Sequence, residues 1–200
     1  MNSRKYIIGV EHDVGNEGDI IQLLKIVSAP NDLVGIELVE CLVHVFKNFR
    51  VPIVKSNNYL NKILTDLDVN DTTHNYWMNL MRQSEIEGLN LDFVGIDNSE
   101  LINKISKDIS RVVNKDENSV DNKTRDRIIR GYLIDRENYF VKRILETNPN
   151  ILVVGDFHVD FLKNKFQEYE IMGRTIRKNN HLPESWMNRY KELRYNIENK

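Results

Sequence analysis

A single cysteine, Cys41, excludes an internal disulfide framework, and a reducing, cytoplasmic setting is the expectation that follows. No apolar run approaches the roughly 18 residues that a membrane span needs. The apolar stretch nearest the start covers only Tyr6 to Val10, and acids follow at once. It is too short for the core of a signal peptide and reads as a first strand. Neither sign of charge dominates: the net charge is -2 and the pI about 6.2, which removes a global electrostatic case for nucleic acid. Alanine occurs only at Ala29, a bias without a chemical reading. The chain also lacks a Walker loop, a GxGxxG, a GxSxG and a CxxC pair, the signatures of the commonest phosphate, dinucleotide, serine-hydrolase and thiol sites. With 40% hydrophobic residues in 200, there is material for one sizeable core and not for two. Residues 1–200 therefore read as one domain of soluble composition.

What is present is an alternation of strands and helices. Continuous apolar runs bounded by Gly, Pro or charge read as buried parallel strands at Tyr6–Glu11, Leu33–Leu38, Pro52–Lys55, Leu91–Ile96 and Ile151–Phe157. A weaker run, Glu168–Met172, reads as an edge strand. Helical spacing follows the first two strands and precedes Leu91. "NSELINKISKDISRVV" reads as a helix capped by Asn98 or Ser99. A long helix spans about Thr124 to Thr147. The polar break Asn114–Lys123 is a surface loop and a candidate lid. This order predicts an α/β fold, a mainly parallel sheet flanked by helices. Trp186, Tyr190, Leu193 and Ile197 share one stripe of a C-terminal helix at about 184–199, which either docks on the domain or forms a dimer contact.

Polar residues concentrate where such a sheet binds ligands, outside the carboxyl ends of its strands. "GVEH" closes the first strand with His12, and "GDFH" closes the strand at Ile151 with Asp156 and His158. Glu37 stands near the end of the second strand and Asp97 after "DFVGI". The bland readings are a structural histidine and helix-capping aspartates. Glu37 resists them, because a carboxylate in an apolar run is expensive unless paired. Arg136 falls on the apolar stripe Ile129, Leu133, Phe140, Ile144 of the long helix, so it either snorkels outward or meets a buried acid such as Glu37. His44, His74 and His181 stand at no strand end. Cys41 reads as a small core residue.

These residues resemble a superfamily that groups the TraB/PrgY pheromone-shutdown proteins, the Tiki membrane proteases, the erythromycin esterases and the ChaN-like haem-binding proteins, with the TraB/Tiki type most similar. The matching pieces are Gly9-Val10-Glu11-His12, Glu37 in "GIELVE", Arg136-Glu137-Asn138 and Gly155-Asp156-Phe157-His158. The departures are Val10 where the family usually has Thr, Val39 in place of a second acid, and Asp97-Asn98 for Asp-Arg.

The resemblance implies hydrolysis of an ester or a peptide or amide bond by His12, Glu37, Arg136 and His158, with Asp97, Asp156 and Asn138 contacting a small-molecule or peptide substrate. Two chemistries stay open. In one, His12, Glu37 and His158 hold a divalent metal (Mn, Co or Zn) with a position left for water. In the other, one His is a general base on water, Glu37 orients it and Arg136 steadies the oxyanion. The alternative is a binding or regulatory protein on the same fold, for a peptide, haem or a partner protein.

Overall fold

The structure is a computed structural model and describes residues 4–11, 16–49, 71–98, 100–101, 120–174 and 184–199. The strand expected at Pro52–Lys55, His12, His181, the candidate lid over 114–119 and most of the helix expected after Asp97 lie outside these residues, as do the side chains of Cys41 and His74.

Five strands form one parallel sheet: β1 (Lys5–Val10), β2 (Leu33–Val39), β3 (Asp92–Asp97), β4 (Ile151–Gly155) and β5 (Tyr169–Arg174). Their order across the sheet is β3-β2-β4-β1-β5, so the weak run near Glu168 is indeed an edge strand. The helices are α1 (Glu17–Val27), α2 (Glu40–Phe49), α3 (Asp71–Ile86), α4 (Asn122–Ile129), α5 (Arg136–Thr147), α6 (Asp156–Lys165) and α7 (Glu184–Glu198). Asn98 caps the next helix, accepting from the amides of Glu100 at 2.8 Å and Leu101 at 3.2 Å.

Alternation along each strand sorts the core onto two faces. Ile8, Val34, Ile36, Ile151 and Val153 pack under α1, α2 and α3, around Leu24, Leu42, Trp77 and Leu80. Ile7, Ile96, Leu152 and Val154 point the other way, against Phe140 and Ile144 of α5 and Val159 and Leu162 of α6. A third cluster joins Ile128, Ile129, Leu133 and Ile134 to Trp186 and Leu193 of α7. The C-terminal stripe therefore docks inward, except that Ile197 is exposed and Arg194 takes the buried place beside Leu193. Asn148 ends α5 in the left-handed conformation (φ 51), with its amide on the Ile144 carbonyl, and Pro149 prevents continuation.

Two expectations need correction. The strand expected to reach Phe157 stops at Gly155, and Asp156, Phe157 and His158 form the first turn of α6. The long helix is also not uniform: a π-helical segment, Arg130–Asp135, separates α4 from α5. Such segments break the 3.6-residue period and often mark functional sites. Here the change in pitch leaves both Arg136 and Glu137 facing inward.

Gly95 shows how tightly β2 and β3 meet. A Cβ there would stand 2.5 Å from the Leu38 carbonyl oxygen and 2.6 Å from the Glu40 nitrogen, both backbone. Gly18, in the first turn of α1, has nothing within 4 Å of that position. Gly95→Ala is expected to destabilise the fold by about 1–3 kcal/mol, while Gly18→Ala stabilises it by about 0.4–1 kcal/mol; urea titrations of the two variants check both signs.

Candidate functional site

The site is assembled at the carboxyl ends of β3, β2, β4 and β1, in that spatial order. Asp97 is the last residue of β3. Glu37 sits where β2 leaves its regular pairing: Ile36 faces Gly95 but Val39 faces Asp97, so β2 carries one extra residue, a bulge. The ladder to β4 ends at Ile36, and the Glu37 carboxylate takes over, with Oε2 accepting from the Gly155 amide at 2.6 Å. Val10 pairs with Gly155, which brings the end of β1 to the same edge. The position of His12, two residues further on, lies outside the described residues.

Arg136 enters from α5 and links the strand ends. Its Nη2 donates to Glu37 Oε1 at 2.7 Å and to Asp97 Oδ2, and its Nε donates to Asp97 Oδ1 at 3.2 Å. Arg136 is 5% exposed, Glu37 6% and Asp97 3%, so this is a buried ion cluster and not a snorkelling arginine. The guanidinium lies 5.1 Å from the centre of the Tyr132 ring and 5.5 Å from that of Phe140. Burial opposes the charge on Arg136, but Asp97 and Glu37 outweigh it and hold its pKa well above the ordinary value.

His158 enters from α6, packed edge-on against Phe140 and Phe157. Its Nε2 faces Glu37 Oε1 at 3.8 Å, beyond hydrogen-bond reach. Its Nδ1 lies 3.1 Å from Oε1 of Glu137, a carboxylate with no exposed surface. Glu137 also accepts from the Tyr190 hydroxyl, at 2.8 Å on Oε2, and from Arg194 Nη2 at 2.7 Å. Burial first, then the adjacent Glu137, pushes the Tyr190 phenol above its ordinary range, so it remains a donor. One continuous chain of contacts thus runs from Asp97 through Arg136, Glu37, His158 and Glu137 to α7.

The other sequence candidates stand apart. Asp156 is bound by Arg174 of β5, with Nε at 2.7 Å, and does not reach His158's partners. It fills the space beside Gly9, where a Cβ would meet Asp156 Oδ1 at 2.7 Å, so close packing within the chain is what requires that glycine. Asn138 is exposed and accepts from Arg194 at 2.9 Å. His44 is exposed on α2. Glu137, Tyr190 and Arg194 were not among the candidates, although Glu137 lies on the same stripe, four residues after Leu133 and three before Phe140. Among the described residues, a cleft of about 680 Å³ lies between α6 and α7; Tyr190 and Arg194 are on its wall, and it does not reach Glu37 or His158.

Two of the three implied metal ligands are described. Ligand atoms about 2.1 Å from one metal at a tetrahedral angle stand about 3.4 Å apart. The 3.8 Å between His158 Nε2 and Glu37 Oε1 suits that spacing after a small closure. The Glu137 contact on Nδ1 is the outer-shell carboxylate typical of ligating histidines. Charge also suits a cation: Glu37, Asp97 and Glu137 outnumber Arg136 and Arg194 by one. No set of three or more potential ligands is grouped among the described residues.

Compared with known proteins, the chain matches no family model, no curated protein and no solved structure.

Replacing Arg136 by Met leaves two buried carboxylates without their cation. The expected loss is about 3–5 kcal/mol, read as a lower urea midpoint. Adding Glu37→Gln and Asp97→Asn removes the stranded charges and restores part of that loss.

Proposed function

We propose that the chain is a hydrolase of ester or amide bonds, of the kind that the resemblance to TraB/Tiki proteins and erythromycin esterases implies. The observation that carries this reading is His158: a buried imidazole whose Nδ1 is engaged by Glu137 and whose Nε2 faces Glu37 beside Arg136. A base–orienter pair next to a fixed guanidinium is the arrangement that water activation and oxyanion stabilisation need.

In the metal-free mechanism, His158 Nε2 takes a proton from water. Glu37, held by Arg136 and the Gly155 amide, faces the imidazolium that forms. Arg136 Nη1, which makes no hydrogen bond among the described residues, donates to the developing oxyanion. In the metal-dependent form, His12, Glu37 and His158 would hold the ion, and its chemistry would be a lowered pKa for bound water and polarisation of the scissile carbonyl. The role of His158 Nε2 changes from base to ligand, and that of Glu137, orienting the ring, stays the same. The single cysteine supports a reducing, cytoplasmic setting.

The burial of Glu37, Asp97, Arg136 and His158 favours a second reading, a binding or regulatory module in which the cluster is structural. Elemental analysis of the purified protein, then an ester and peptide hydrolysis screen with and without chelator, separates the readings. His158→Ala is expected to reduce turnover about 10²–10⁴-fold with unchanged far-UV circular dichroism. Wild-type protein with no metal uptake and no turnover on any substrate is the outcome of a binding module, and a sharp Soret band on hemin titration would make its ligand haem.

A further inference from the structure

The C-terminal helix does more than cover the core. Among the described residues, four of its side chains reach across to the rest of the fold by ion pairs or hydrogen bonds: Arg189, Tyr190, Arg194, and Glu198, which pairs with Lys165 of α6 at 2.9 Å. Arg189 makes a two-pronged pair with Asp126 of α4, at 2.9 and 2.7 Å, which seats the helix. Tyr190 and Arg194 point inward, and both end on Glu137. Arg194 is further confined by the Phe161 ring, 3.9 Å from its guanidinium carbon, and by Asn138.

The chemistry of these donors decides what Glu137 can do. A guanidinium has only donors, and a phenol held neutral donates its one proton. Glu137 Oε2 accepts from Arg194 and Tyr190, and Oε1 stands 3.1 Å from His158 Nδ1. With the carboxylate confined to accepting, Nδ1 must carry the hydrogen. A neutral ring then has its lone pair on Nε2, the nitrogen that faces Glu37.

We propose that α7 completes the site: Tyr190 and Arg194 are positioning residues that keep Glu137 an acceptor and so fix the His158 tautomer with Nε2 unprotonated. The catalytic consequence rests on the hydrolase reading above, whereas the tautomer does not. Both forms of that reading need the Nε2 lone pair, as base or as ligand. Among the described residues, the charged and titratable groups facing His158 and its orienter are Glu37 from β2, Glu137 from α5, and Tyr190 and Arg194 from α7; Arg136 acts on it through Glu37.

Two measurements on the full chain test the proposal. Long-range ¹H–¹⁵N correlation of the imidazoles should show the Nδ1–H tautomer for His158 in wild type and a mixture in the double variant Tyr190→Phe/Arg194→Met, where Glu137 has lost both donors from α7 and is free to turn away from the ring. An Nε2–H tautomer in wild type, or an unchanged one in the variant, overturns the proposal. In hydrolysis assays, Tyr190→Phe should lower kcat about 10-fold with little change in KM. Arg194→Lys, which keeps the charge, should recover most of what Arg194→Met loses. Arg189→Ala loosens α7 without touching Glu137, so an equal fall in kcat from that variant also overturns the proposal. The expected tautomer change in a protein that hydrolyses nothing supports the positioning role and counts against the hydrolase reading alone.

Discussion

One buried guanidinium holds the working edge of this sheet together. Arg136 bridges Glu37 of β2 and Asp97 of β3, and all three are almost wholly enclosed. Taking three charges out of water is costly, and an apolar trio of the same shape would often be as stable. What the ionic arrangement supplies is direction. The carboxylate of Glu37 is pinned from one side by Arg136 and from the other by the Gly155 amide, which leaves it facing His158 in one orientation.

The backbone is shaped to allow that cluster. The bulge in β2 ends its ladder to β4 one residue before Glu37, so a side chain takes the amide that the ladder would otherwise approach. The π-helical segment before α5 turns two consecutive residues inward, and those are the arginine and the glutamate of the site. β4 passes into α6 without a loop, which carries His158 back over the strand end and not out into solvent. Each irregularity departs from ideal strand or helix, and each one aims a polar group at the same place.

Two charge clusters meet at the imidazole. On the Nε2 side stand Glu37, Asp97 and Arg136, and on the Nδ1 side Glu137, Tyr190 and Arg194. The first is made of strand ends and α5, and the second depends on α7. His158 is thus the point at which the C-terminal helix touches the chemistry of the sheet edge.

Much of this was readable along the chain. Apolar runs ending in Gly and charge located four of the five described strands, and the weak run near Glu168 located the fifth. Glu37 and Arg136 were each marked by a charge in an apolar pattern, a local anomaly that burial makes informative. Glu137 carried the same mark, but one stripe can seat only so many inward residues at a regular pitch, and nothing in the residues around Gly131 announces the π-helical turn that seats both. The rest depended on distance in sequence. Glu37 and Arg136 are 99 residues apart, and Glu137 and Arg194 are 57 apart. The amino-acid order by itself located the five described strands and most of the described helices, and marked charges that need partners, because those follow from periods of two to four residues. Which acid meets which base was decided only by the strand order β3-β2-β4-β1-β5 and by the seating of α7, because such contacts arise from packing between elements and leave no trace in the spacing of either one.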